Sequence, residues 1–314
     1  MLIFRDYSDI PEDFRSSVIT IGNFDGVHKG HQFIINKVVE TSKAIGSMGG
    51  VITFHPHPRR VLYSDTKFEK LTFIERKVQL IKELGVDFIL LLNFTHGLSC
   101  FTPEQFVRDI LVNKLKIKLV IVGRNFFFGR DRSGDIATLK FLGERYGFEV
   151  EPIDPIVDRD GVVISSSRIR ELLKEGKIEE ANQMLGRPYE LEGKVVKGEG
   201  IGKELGFPTV NLKGIRVLIP KRGVYGGYCI IEDRVYKSAI HIGERPTFNK
   251  PLSIEAYIIG FSGNLYNKWL RLHILKRIRD QIRFNTIEQL RAQIENDVRR
   301  IESEIKIKDI RRER

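Results

Sequence analysis

The spacing of apolar and polar positions changes character once along the chain. From Ser17 to about Pro155, β-rich runs at Val18 to Ile21, Val51 to Phe54, Phe88 to Leu92 and Leu119 to Val122 are separated by stretches of helical periodicity. Such alternation predicts a parallel sheet wrapped by helices. Thr72 to Glu75 and Thr102 to Gln105 both have capping-box spacing, the second with Pro103 at the first helical position, and Gly85 stands where the helix begun at Thr72 should end. Beyond Leu185-Gly186 glycines become frequent and short apolar runs alternate with turns: Gly193 to Val196, Val224 to Ile231, Val235 to Ile242, Ser253 to Ile259 and Leu270 to Leu275. That pattern predicts a small antiparallel β-barrel. Thr286 with Gln289 forms another capping box, and Ile287, Leu290, Ile294, Val298 and Ile301 recur at helical spacing behind it. The expectation is an α/β domain over residues 1–185 and an antiparallel barrel with a C-terminal helix over residues 186–314.

A length of 314 residues agrees with two domains, and 41% hydrophobic with 30% charged residues describes a globular chain. No apolar run approaches the roughly 20 residues of a membrane span, and Met1 to Asp9 lacks the basic start and apolar stretch of a secretory signal. A cytoplasmic location without a membrane partner is expected. Cys100 and Cys229 have no disulfide or metal-ligand spacing. Much of the net charge of +11 falls late, at Lys276, Arg277, Arg279, Arg283, Arg299, Arg300 and Arg311 to Arg314. A solvated helix face and tail account for it, and with no aromatic RNA-binding signature alongside, no nucleic-acid partner is expected.

The candidate chemistry lies in loops. Gly22 to His31 follows an apolar run and leads into a helical pattern, so it reads as strand, turn and helix start. Unpaired N–H groups at a helix N-terminus favour phosphate. His28 and His31, three apart, can face one anion there and stabilise charge on an attacked phosphorus; a histidine pair capping the helix is the plainer alternative. Thr53-Phe54-His55-Pro56-His57-Pro58 is a loop stiffened by prolines. In Gly123-Arg124-Asn125-Phe126-Phe127-Phe128-Gly129 the phenylalanines cannot all face one core, leaving at least one to line a pocket for a flat ring. Ser165-Ser166-Ser167-Arg168-Ile169-Arg170 caps a helix but puts arginine in its first turns, against the dipole preference, which a bound anion would resolve. In the barrel half, Gly198 to Asn211 is rich in glycine, although it lacks the Gly-Lys-Ser/Thr ending of a Walker loop. Thr209 and Asn211 alternate onto one side of an extended segment and offer oxygens to a hydrated Mg2+.

The complete Gly-x-Phe-Asp-x-x-His-x-Gly-His spacing at residues 22–31 resembles the signature of nucleotidyltransferases, and Ser165 to Arg170 resembles their second phosphate-binding signature. Gly-x-x-Leu-Gly-Phe-Pro-Thr-x-Asn at residues 202–211 resembles the ATP loop of riboflavin kinase. Together, with Gly223-Val224-Tyr225, Ile242 to Phe248, Ile254-Glu255-Ala256, Leu265-Tyr266 and Arg283-Phe284, they resemble the bacterial bifunctional riboflavin kinase and FAD synthetase family over nearly the whole chain. The resemblance implies a Rossmann-like nucleotidyltransferase domain that adenylylates FMN to FAD, and a barrel that phosphorylates riboflavin to FMN. It assigns His28 and His31, with Gly22, Phe24, Asp25, Gly30, Ser166, Ser167 and Arg170, to ATP in the first domain, and Phe54, His57, Pro58 and Asn125 to the flavin. In the barrel it assigns Gly200, Gly202, Gly206, Thr209 and Asn211 to Mg-ATP, Thr209 and Asn211 serving the metal. Glu255 becomes the base for the ribityl hydroxyl, and Arg283 with Phe284 the flavin side. From its neighbours Ile254 and Ala256 alone, Glu255 reads as a solvent-facing strand carboxylate. Ser167 replaces a common threonine and Val210 a frequent alanine, both without loss of chemistry. Two alternatives stand beside this reading: a riboflavin kinase whose transferase half is idle, and an inactive flavin- or nucleic-acid-binding regulator.

Overall fold

A computed structural model describes residues 1–63, 68–198, 200–245 and 250–306. Glu199, Pro246, Thr247, Phe248 and Arg311 to Arg314, named above, lie outside the described residues. The chain divides into two compact units, Met1–Ser165 and Ser166–Arg314.

The first unit contains β1 (Leu2–Phe4), β2 (Ser17–Ile21), α1 (Lys29–Ala44), β3 (Met48–His55), α2 (Pro58–Leu62), α3 (Ile74–Glu83), β4 (Phe88–Asn93), α4 (His96–Ser99), α5 (Pro103–Gln105), β5 (Ile117–Gly123), α6 (Ile136–Tyr146) and β6 (Glu149–Ile153). Among the described residues the strands form one parallel sheet in the order β1-β4-β3-β2-β5-β6. Both faces of its centre are covered, so all five residues of β2 are buried. Ile19, Ile52 and Leu90 pack on one side, and Val51, Ile89 and Leu91 on the other with Ile35 and Ile81. Gly50 sits where an added Cβ would meet the Phe88 ring at 2.1 Å, so only glycine lets that ring lie flat on β3. The chain leaves β2 towards β3 on one side and β5 towards β6 on the other. The carboxyl ends of β2 and β5 therefore flank a topological switch point, the place where open sheets of this class bind ligands.

Of the expected caps, Thr102 with Gln105 forms the full box. Thr72 does not cap α3, a correction to the sequence reading. The Asp25 carboxylate takes the backbone N–H groups of Leu71 and Thr72. With the segment held that way, Phe73 occupies the N-cap in extended conformation and α3 starts at Ile74. Gly85, at φ +87°, follows the C-cap Leu84 as expected.

The second unit begins with α7 (Ser166–Glu175) and α8 (Ile178–Leu185), followed by β7 (Tyr189–Val196), α9 (Ile201–Glu204), β8 (Thr209–Lys213), β9 (Gly223–Ile231), β10 (Arg234–Arg245), β11 (Lys250–Ile258), β12 (Trp269–Arg279) and α10 (Ile287–Glu304). The strands close into an antiparallel barrel in the order β10-β11-β8-β7-β12-β9. Alternate residues such as Leu191, Ile240, Ile254, Ala256 and Leu272 are buried, as expected for side chains filling a small barrel. Thr286 caps α10 through the Gln289 N–H. The helix packs Ile301 against Val224, Tyr228 and Ile278, and Arg279 holds Asp297 through Nε and Nη2 at 2.8 to 3.0 Å.

Candidate functional sites

In the first unit, the loop after β2 turns into α1 at His28, the helix N-cap, whose Nδ1 accepts the His31 N–H at 3.4 Å. One turn of helix brings the two imidazoles together. Their rings stack at 3.5 Å between centroids and 20° between planes, and His31 meets the Phe24 ring edge-on at 5.2 Å. Capping and anion binding are thus compatible, because one ring nitrogen of His28 serves the backbone and the pair still stands at the helix N-terminus. Gly30 keeps the approach clear: a Cβ there would lie 3.2 Å from the His28 ring. A Cβ on Gly22 would press on Phe24 at 3.1 Å. Phe24 and Asp25 form the loop's framework. The Phe24 ring is buried beside Val27 and Ile35, and Asp25 ties the loop to residues 71 and 72.

The flavin candidates lie on the same carboxyl edge of the sheet. Phe54, near the end of β3, is half-buried with its ring edge-on to Phe94 at 5.7 Å. His57 caps α2, accepting the Arg59 N–H at 3.2 Å, with Pro58 as the first helical residue. The His57 ring lies 4.1 Å from that of Phe68. Asn125 is exposed in the turn after β5. Of the three phenylalanines that follow, Phe128 is buried, Phe126 is half-buried and stacked on it at 5.4 Å, and Phe127 is exposed under the Arg132 guanidinium. One ring is indeed free of the core. Ser166 and Ser167 open α7, and Arg170 lies half-buried in its second turn. They belong to the second compact unit, whereas Ser165, which opens the same signature, and the histidine pair belong to the first.

On the barrel, strand pairing assembles the second site. Asn211 on β8 faces Glu255 on β11, and Glu255 faces His241 on β10. Thr209, two residues from Asn211, shares its face. Glu255 is only 8% exposed although it points away from the interior filled by Ile254 and Ala256. The expectation of a solvent-facing carboxylate from local pattern is thereby corrected. The glycine-rich loop lies against the two β8 residues beside it: a Cβ on Gly198 would fall 2.2 Å from Asn211 Nδ2, and one on Gly202 3.1 Å from Thr209 Oγ1. Ser253 Oγ donates to Glu255 Oε1 at 2.8 Å, and Thr209 Oγ1 reaches Oε2 at 3.5 Å. Gly200 and Gly206 bracket the short α9 with φ of +85° and +88°, backbone that an L side chain rarely adopts. Gln281, just past β12, has its Oε1 2.4 Å from where a Gly243 Cβ would be, and Gly243 pairs with Ser253. The exposed Arg283 and the half-buried Phe284 follow it in the chain.

Among the described residues no group of three or more His, Cys, Asp or Glu side chains could hold a metal. The hydroxyl of Thr209 and the amide oxygen of Asn211, beside the Glu255 carboxylate, offer oxygen donors of the kind that suit Mg2+ keeping most of its water and binding mainly through phosphate. His241 and Lys77 went unmarked in the sequence. His241 could be found only from register. Lys77 carries a visible anomaly, because it falls on the apolar stripe of α3 with Leu80 and Ile81.

A turn leading into a helix N-terminus at the switch point of a parallel sheet, joined in one chain to a barrel with a glycine-rich loop beside a strand that pairs with a buried carboxylate, is an architecture suited to nucleotide chemistry. The FAD synthetase family model matches residues 10–168 and the riboflavin kinase model residues 185–305. The bifunctional riboflavin kinase/FMN adenylyltransferase of Buchnera aphidicola subsp. Schizaphis graminum is 33% identical, with 95% of this chain and 97% of that protein covered. The protein of the same name from Escherichia coli K12 is 32% identical, with 93% of each covered. The chain belongs to the bifunctional riboflavin kinase/FMN adenylyltransferase family. A crystal structure described as a macrolide-efflux protein from Streptococcus pneumoniae is 28% identical with a TM-score of 0.85, covering 95% of this chain and 97% of its own. Efflux is that protein's description alone, and no helix among the residues described here is long and apolar enough to cross a membrane.

Proposed function

We propose that the chain makes FAD from riboflavin in two steps, using the barrel site first and the sheet site second. The observation that carries the reading furthest is the buried Glu255 carboxylate, set against Thr209 and Asn211, the two residues that the glycine-rich loop touches. In the kinase step the ribityl 5′-hydroxyl attacks the γ-phosphorus of ATP, a new O–P bond forms, the bond to ADP breaks, and Glu255 accepts the hydroxyl proton. Ser253, by donating to Oε1, fixes the carboxylate for that task. Thr209 and Asn211 would hold hydrated Mg2+, which supplies charge neutralisation of the triphosphate when bound.

In the transferase step a phosphate oxygen of FMN attacks the α-phosphorus of ATP and pyrophosphate leaves. The nucleophile carries no proton to remove, so the domain needs donors for the developing charge and a means of holding the reactants in line. His28, His31 and the α1 N-terminus serve the first need, with Ser166, Ser167 and Arg170 on the phosphates. Phe54, His57, Pro58 and Asn125 hold the FMN, and Arg283 with Phe284 the riboflavin of the kinase site. The molecule works without nucleic acid, and the cell compartment is the cytoplasm.

A time course with riboflavin and Mg-ATP, resolved by chromatography, tests the reading: FMN should rise first and FAD follow with pyrophosphate. FMN alone would mean an idle transferase half, and neither product an inactive binder. We place the functional boundary at 185/186, so that residues 1–185 keep both transferase signatures. Because α7 and α8 bond to the barrel, the test of the second signature keeps the full chain: Arg170→Ala is expected to lower FAD formation from supplied FMN while FMN formation from riboflavin stays near the wild-type rate. Unchanged FAD formation would remove Arg170 from the site.

A further inference from the structure

Beneath the loop from Gly22 to Gly30 lies a lysine that no motif marks. Lys77 is only 6% exposed, and its Nζ donates to the Asn23 carbonyl and to Thr53 Oγ1, both at 2.9 Å. Thr53 Oγ1 donates in turn to the same carbonyl at 3.2 Å. Both acceptors of the ammonium are neutral oxygens, and a buried charge so placed is costly to a fold that an apolar side chain of like length would fill as well. The charged group touches the loop's backbone between Gly22 and Phe24, at the carboxyl end of β2.

We propose that Lys77 is a positioning residue for adenylyl transfer: it grips the Asn23 carbonyl, fixes the loop in the shape that seats the triphosphate, and places positive charge behind that anion. This rests on the assignment of the loop to ATP made above. The ionisable groups acting on it are Asp25 from the loop and Lys70 from the segment before α3, and His55 at the end of β3 feels its charge in turn. Burial pulls the Lys77 ammonium down to about 8, Asp25 opposing and Lys70 assisting. His55 is held below the usual histidine range, by burial first and by Lys70 and Lys77 after it. A lysine lowered in this way is charged below about 8 and neutral above it. A polyanion favours the charged form, so the loop's affinity for ATP is full at lower pH and is lost as pH rises through that value.

The test measures KM and kcat for ATP in FAD formation from supplied FMN, with the full-length protein between pH 7 and 9. Lys77→Met is expected to raise KM about tenfold at pH 7, the scale of losing one charge-assisted contact, with a much smaller change in kcat. The wild-type KM should climb through pH 8 and approach that of the variant at pH 9, while the variant stays flat. An unchanged KM at pH 7, or a variant-to-wild-type ratio constant across the range, overturns the proposal. If circular dichroism shows Lys77→Met to be misfolded, the wild-type profile decides, and a flat one overturns it. A wild type that makes no FAD at any pH would instead overturn the assignment of the loop.

Discussion

His31→Ala is expected to lower FAD formation from supplied FMN by at least about a hundredfold, the scale of removing one donor aimed at transition-state charge. FMN formation from riboflavin by the same preparation should stay near the wild-type rate, because Glu255, Thr209 and Asn211 stand on a separate compact unit. The loss should fall on kcat more than on KM for ATP, because the helix N-terminus and the remaining imidazole still attract the ground-state triphosphate. Folding is expected to survive. His31 is only partly buried, and the substitution removes an edge contact to Phe24 and a ring stack on His28 while leaving the His31 N–H that His28 caps. Steady-state rates for each product, with a thermal melt alongside, check all three points. Equal loss of both products would argue that the two sites are not separable.

How far the fold could be read depended on where each segment is buried. The runs that became β2 to β5 are continuous and apolar because both sheet faces are covered, which makes them conspicuous. β1 is three residues long, and β6 mixes Glu149, Glu151 and Pro152 into an edge strand, where proline is tolerated and charge is exposed. Neither shows a run. Ser165 to Ser167 mark the start of α7 in the sequence, but nothing local marks α8 or says which core the two helices pack on. Tertiary bonds decide that: Asn182 Nδ2 donates to the Ile274 carbonyl at 2.8 Å, Asn182 Oδ1 accepts the Tyr189 N–H, and the Lys221 N–H reaches the Leu173 carbonyl.

The site residues divide in the same way. The placement of the histidine pair was legible because it is local, with strand, turn and helix start adjacent in sequence. Glu255 was not, since Thr209 and His241 are brought beside it only by hydrogen bonding and strand pairing between distant parts of the chain, and only the family resemblance singled it out. Lys77 offered a local signal of another kind, a cation where the stripe of α3 calls for an apolar residue.

Glu255→Gln is expected to abolish most riboflavin phosphorylation while FMN added from outside still becomes FAD. Glutamine keeps the size and can accept the Ser253 hydroxyl, so the change removes little except proton acceptance, which typically supplies about 10² to 10⁴ in rate. Burial sharpens the expectation. At 8% exposure with Ser253 and Thr209 as neighbours, the carboxylate has little bulk water beside it to take over as base. Thr209→Ala should behave differently, because losing a magnesium-side oxygen weakens Mg-ATP binding and extra magnesium restores part of the rate. No magnesium rescue is expected for Glu255→Gln, since a better-bound triphosphate does not replace a missing base. Rates at rising magnesium concentration, taken for both variants with the FMN-to-FAD reaction as internal reference, separate the two roles. Near-normal kinase turnover in a folded Glu255→Gln protein would leave the carboxylate a structural member of the β8–β11 pair and move the search for the base to His241, its neighbour across β10.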